Sequence, residues 1–251
     1  MNEHIAVKEL SEKLLEDYKT ESSFFFASPT RTILAEGEFT TVKHREIESF
    51  SELVQATLSN AKQAGNPNPI VVGALPFDRR KEVQLIVPEY SRISQRLQLD
   101  TTNQLETNEN ATFEMTPMPD PEVYMNGVKQ GIEKIQDGDL NKIVLSRSLD
   151  VKSSEKIDKQ KLLRELAEHN KHGYTFAVNL PKDEKENSKT LIGASPELLV
   201  SRNGMQVISN PLAGSRPRSE DPLEDKRRAE ELLSSPKDLH EHAVVVEAVD
   251  A

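Results

Sequence analysis

Apolar residues recur every three to four positions over residues 3–19, where Ile5, Val7, Leu10, Leu14, Leu15 and Tyr18 form one stripe. That period predicts an amphipathic helix. Phe24-Phe25-Phe26 is a short continuous apolar run ended by Ser28-Pro29, the pattern of a buried strand, and residues 33–35 are its expected partner. Residues 46–64 predict a second helix, closed by Gly65 and the turn-rich NPNP that follows. IVVGALPF (70–77) and VQLIVP (83–88) are β-type runs on either side of a charged turn at 78–81, which predicts a hairpin-like pair.

Residues 100–121 are polar and Pro-rich and predict a loop or linker. A helix follows over about 122–137, ended by Asp137-Gly138-Asp139. KIVLSRSLDV (142–151) alternates, with Ile143 and Leu145 on one face and Lys142, Val144 and Ser146 on the other, and so predicts a strand. A helix over 158–170 and a strand over 174–180 precede a charged loop. TLIGASPELLVSR then leads through Asn203-Gly204 into MQVIS, a strong hairpin signal. Residues 222–233 predict a helix, and another opens at Ser235-Pro236, with Ser as cap and Pro at the first position. Mixed helices and hairpins predict an α+β fold with a mostly antiparallel sheet. No internal repeat is visible, and no Gly-rich phosphate fingerprint follows a strand.

Composition narrows the picture. The 251 residues are long enough to bury a real core. The net charge of −10 argues against a nucleic-acid partner, though a few placed Arg and Lys can still form a local positive pocket. No apolar run reaches membrane-span length, so no membrane partner is expected. The N-terminus lacks the basic start and apolar stretch of a secretion signal, which makes the cytoplasm the expected compartment. The absence of cysteine excludes disulfides, thiolate nucleophiles and Cys-type zinc sites.

Four places carry candidate chemistry. Lys142 reads either as a solvated lysine at a strand end or as a general base, the second only if burial or a neighbouring cation lowers its pKa. Glu197, in Ser195-Pro196-Glu197, reads as a turn or cap residue or as a general acid. PLAGSRPR (211–218) reads as a basic surface loop or as a carboxylate cradle, in which Gly214 admits a close ligand and an Arg supplies a bidentate clamp. Glu241 lies between His240 and His242. The spacing is wrong for zinc, but a carboxylate suits magnesium, with Glu231 and Asp238 as secondary candidates; the plainer alternative is an ion pair with Lys237.

Taken jointly and in order, LNKIVLSR (140–147), GASPELL (193–199), PLAGSRPR and KDLHEH (237–242) resemble the signature blocks of the chorismate-utilising enzymes. FFFASP and VVGALPFD are similar to the N-terminal half of the isochorismate synthases of the siderophore, 2,3-dihydroxybenzoate branch. The resemblance implies a layered α/β/β/α fold with antiparallel sheets, in which residues 1–251 belong to one chorismate-binding catalytic domain. It implies chorismate as the small-molecule substrate, Mg2+ as cofactor, and a monomer. By motif, Lys142 matches the lysine that activates water for attack at C2, and Glu197 the acid that protonates the departing C4 hydroxyl. Gly214 and Ser215 match the substrate-binding turn, and Glu241 a magnesium ligand. Ammonia-using relatives such as anthranilate synthases carry Gln where Lys142 stands, so a basic amine there fits water chemistry. The resemblance also gives the expectation that the chain stops at Ala251 before the family's remaining metal and substrate ligands, and that residues 1–251 alone are inactive and poorly stable. Salicylate synthase, a menaquinone-directed isochorismate synthase and a non-catalytic chorismate-binding domain are the alternatives.

Overall fold

The computed structural model describes residues 10–20, 23–44, 50–78, 80–81, 83–99, 111–180 and 188–250. The chain divides into two compact units, each built from two segments: unit 1 from Met1–Thr107 with Ile157–Pro196, and unit 2 from Asn108–Lys156 with Glu197–Ala251. Every strand pairing among the described residues is antiparallel. The mixed α+β class and the antiparallel sheets match the expectation.

Unit 1 is arranged in layers. A helix over residues 10–16 (α1) and α4 (Lys159–His169) cover one face of a five-stranded sheet. Its strands run in the order β10 (Lys189–Ser195), β9 (Tyr174–Leu180), β1 (Ser23–Ala27), β2 (Arg31–Glu36) and β6 (Tyr90–Gln95). The other face meets a three-stranded sheet of β3 (Thr40–His44), β5 (Val83–Val87) and β4 (Val72–Ala74), which α2 (Phe50–Gln63) covers in turn. β1 explains this arrangement. Phe25 and Ala27 pack with Leu14, Leu15, Leu34 and Leu163 on the helix side, and Phe24 packs with Ala35, Val72 and Val178 on the other. A strand buried on both faces reads as an unbroken apolar run, and FFFA is one. Fully burying Phe25 or Leu163 stabilises the unit by about 1.5–3 kcal/mol each.

The register follows the sequence reading: Phe26 pairs Ile33, and Val72 pairs Ile86. The predicted helices at 3–19 and 46–64 begin in residues outside those described, and their described parts are helical over 10–16 and 50–63.

Unit 2 contains β7 (Phe113–Met118) paired with β8 (Ser148–Ser153), α3 (Pro121–Gln136), the hairpin β11 (Leu198–Asn203) and β12 (Gln206–Asn210), α5 (Pro222–Ser234) and α6 (Pro236–Asp250). Gly204 turns the hairpin in the left-handed region at φ +61°. Two sequence readings need correction here. Part of the expected 100–121 loop is β7, because Pro117 is tolerated in an edge strand of a two-stranded ribbon. Conversely, the strand expected over 142–151 forms only at Ser148–Ser153. Residues 142–147 have strand-type composition, but no described strand offers them a ladder, and a strand without its hydrogen-bonded neighbour is not a strand. No described helix is long and apolar enough to cross a membrane.

Candidate active site

All five residues singled out as site candidates fall in unit 2. Lys142 lies on the irregular segment 141–147 that follows α3. The alternation survives there without a ladder. Ile143 and Leu145 lie against Gly131 of α3, where an added Cβ would come within 3.3 Å of the Ile143 methyl. The Tyr124 hydroxyl donates to the Leu145 carbonyl at 3.4 Å, and the Arg147 guanidinium sits 5.8 Å above the Tyr124 ring. Thus the segment is pinned to α3 by one side, while Lys142 reaches from it to α6. Its Nζ donates to Glu241 Oε1 at 3.3 Å, across 99 residues of sequence. The pair is partly screened from water, with the lysine side chain 20% exposed and the glutamate 36%.

Glu241 stands in the second turn of α6, facing two ammonium groups. Lys237, one turn earlier, is 3.8 Å from Oε2, so the plain i,i+4 ion pair and the contact with Lys142 coexist. As a donor set for magnesium, this is one hard carboxylate. A carboxylate suits an ion that keeps water and substrate oxygens in most of its positions, and such an ion would replace the two ammonium groups that face Glu241. Among the described residues no three His, Asp or Glu side chains gather as a metal cluster. Glu231 pairs with Arg227 at 3.1 Å and Asp238 with Arg216 at 2.7 Å, so neither secondary candidate is turned toward Glu241 as a second ligand.

Glu197 opens the stretch into β11, and its Oε1 accepts a hydrogen bond from the backbone N–H of Leu212 at 3.1 Å. That bond ties the proposed acid to the turn that contains Gly214 and Ser215. Gly214 has φ +84°, a conformation that L side chains rarely adopt, and an added Cβ would also stand 3.2 Å from Asp238 Cβ and 3.6 Å from Leu232. Ser215 is exposed, and its carbonyl accepts from Arg216 Nη1 at 3.0 Å. The cradle reading changes at its arginines. Arg216 is held by Asp238, and Arg218 makes two bonds to Asp225 at 2.8 and 2.7 Å. The Arg218 guanidinium pulls the Asp225 carboxyl down to about 2, and Arg227 with Arg228 does the same to Glu224. Neither arginine of the turn stands ready as a substrate clamp; the backbone of the turn is what remains for an anionic ligand.

Sequence spacing could not have paired Lys142 with Glu241, nor Gly214 with Asp238. The sequence offers Asp238 only as a possible metal helper, and nothing in it signals burial. An open cleft of about 900 Å3 lies between residues 138–144 and α6. Lys142 borders it, but its walls are mainly apolar (Ile143, Val144, Val244, Val245), and Glu197, Gly214, Ser215 and Glu241 do not line it. The polar constellation rather than this cleft is therefore the candidate site.

Residues 74–251 match the family described as chorismate binding enzyme. The chain belongs to that family. It is 51% identical over 256 residues to the isochorismate synthase DhbC of Bacillus subtilis, covering 100% of this chain and 64% of that protein. It is 39% identical to the vibriobactin-specific isochorismate synthase of Vibrio cholerae, covering 96% of this chain and 59% of that protein. The chain thus spans about three-fifths of these relatives' length. The crystal structure of DhbC from Bacillus anthracis superposes with a TM-score of 0.87 at 89% identity, over 95% of this chain and 61% of that one. The menaquinone-specific isochorismate synthase MenF of Escherichia coli shares the fold at 18% identity, with a TM-score of 0.70 over 93% of this chain and 58% of that one.

Proposed function

We propose that the complete gene product carrying this chain is an isochorismate synthase of the 2,3-dihydroxybenzoate branch, converting chorismate to isochorismate. The observation that carries the reading is the Lys142–Glu241 contact. It brings the Lys142 ammonium against a carboxylate suited to magnesium, in a chain 51% identical to DhbC of Bacillus subtilis over 100% of this chain. Lys142, in its neutral form, takes a proton from water as its oxygen bonds to ring C2. Glu197, in its protonated form, donates to the C4 hydroxyl as that C–O bond breaks and the double bonds shift. One water enters and one leaves, so the product is an isomer of the substrate. The backbone of the Gly214–Ser215 turn receives a substrate carboxylate. Magnesium would be held at Glu241 and, when bound, offsets the negative charge of the substrate. Holding base, acid and ring in one geometry is worth more than any single contact. A monomer working in the cytoplasm accompanies this reading.

The test is product analysis by chromatography and mass detection after incubating the complete gene product with chorismate and magnesium. Isochorismate without salicylate or pyruvate is expected. Lys142→Ala should lower kcat by about 10²–10⁴-fold, the range for loss of a general base. Chelation of magnesium should stop turnover reversibly. Salicylate with pyruvate would move the protein to the lyase-coupled alternative. Unchanged chorismate with wild-type protein would leave a binding domain.

A further inference from the structure

Asp238 is the only charged residue buried among the described ones, at 4% exposure, and the reaction above does not use it. It sits in the first turn of α6, where its N–H reaches the Ser235 hydroxyl at 3.4 Å. Its Oδ2 accepts from Arg216 Nη2 at 2.7 Å, while the other arm of that guanidinium donates to the Ser215 carbonyl. Its Cβ meets the bare face of Gly214. One residue of α6 therefore touches the substrate turn twice, once through a charge-assisted bond and once by close contact. Glu241 follows one helical turn later.

We propose that Asp238 and Arg216 are positioning residues that lock the Gly214–Ser215 turn to the first turn of α6, and so fix the distance from that turn to Glu241. A buried ion pair is a poor stability device, because desolvation cancels much of the attraction and an apolar pair often does as well. What it supplies is a single orientation, since the planar guanidinium must satisfy Asp238 and Ser215 together. The Arg216 guanidinium also holds the Asp238 carboxyl below its ordinary range. Gly214 belongs to the same device. A residue without Cβ adopts its backbone angle without strain and leaves Asp238 room to close on it.

The kinetic part of this inference rests on the isochorismate synthase reading; the structural part does not. The experiment compares Asp238→Asn, Arg216→Gln and Arg216→Lys with wild type in the complete gene product, by hydrogen exchange and by steady-state kinetics. Amides of 212–216 should exchange about tenfold faster or more in the first two variants, the size expected for loss of a charge-assisted hydrogen bond. Unit 1 amides should not change. KM for chorismate should rise about tenfold while kcat stays within about threefold, the pattern of lost substrate positioning. Arg216→Lys, which keeps the charge but not the fork, should fall between. The double variant Asp238→Asn with Arg216→Gln should be no worse than either single one. Unchanged exchange in 212–216 overturns the lock, whether or not the protein turns over chorismate. Faster exchange with unaltered KM reduces the pair to a structural contact and overturns the positioning role. Should Asp238→Asn fail to fold, Arg216→Lys decides alone by the same two readouts. If wild type is inert on chorismate, the proposed function falls, and the exchange measurement still decides the lock.

Discussion

The two units of this chain are held together in different ways. In unit 1 both faces of the central sheet are buried, and Phe25, Leu163 and Ala177 are fully removed from water. In unit 2 the only buried described residues are Gly131 and Asp238, one without a side chain and the other charged. Yet unit 2 holds every candidate site residue. Its order comes from smaller devices: the β11–β12 hairpin, the β7–β8 ribbon, a capped α5, and ion pairs along α5 and α6. Unit 1 derives its stability from apolar burial, whereas unit 2 places polar groups. Substitutions should separate the two roles.

The largest effect on stability belongs to unit 1. Phe25→Ala should destabilise by about 3–5 kcal/mol, through lost transfer energy and the cavity left between α1, α4 and the sheet. Denaturant unfolding checks it, and a loss below about 1 kcal/mol would break the contrast. Gly214→Ala comes next and should act on function first. The left-handed φ and the contact with Asp238 oppose any side chain, so substrate binding should fall well before the melting temperature does. Chorismate titration beside a thermal scan reads both.

The third difference is in pH. Glu224 and Asp225 fall from ordinary values of 4.5 and 3.8 to about 2, drawn down mainly by Arg227 and Arg218. They bind protons less readily folded than unfolded. Their contribution to unit 2 is therefore complete above the ordinary carboxylate range and is lost as pH falls from 4.5 toward 2. Helical signal from α5 should decline in that window, earlier in high salt, while unit 1 amides stay protected. The smallest effect belongs to Lys226→Ala. Its pair with Glu230 is long, at 3.8 Å, and exposed on both sides. Stability should change by less than about 0.5 kcal/mol.

The same contrast explains what the sequence disclosed. Unit 1 was legible because burial on both faces leaves a continuous apolar run such as FFFA, and because Gly65 and the NPNP turn mark an end. The β11–β12 hairpin was legible because its turn needs a left-handed residue and Gly204 supplies one. β7 was hidden by Pro117 and Pro119, which read as loop and are tolerated only because the ribbon has an open edge. The segment 142–147 misled in the other direction, since alternation predicts which way side chains point but not whether a neighbour exists to pair with. In the site, the motifs named Lys142, Glu197, Gly214, Ser215 and Glu241 one at a time. Their connection runs through contacts distant in sequence: Lys142 to Glu241, Glu197 to the Leu212 N–H, and Gly214 to Asp238. Periodicity carries no information about such pairs. It could expose only the neighbour one turn away, Lys237 beside Glu241.

Activation of water against the ring by Lys142 would leave an isotopic trace in the product. Chorismate turned over by the complete gene product in 18O-enriched water, with the product resolved by mass spectrometry, tests it most directly. Isochorismate carrying one solvent oxygen at C2 is expected, with labelled product from Lys142→Ala forming about 10²–10⁴-fold more slowly. Isochorismate formed without solvent oxygen, or labelled product at an undiminished rate from the variant, would contradict it.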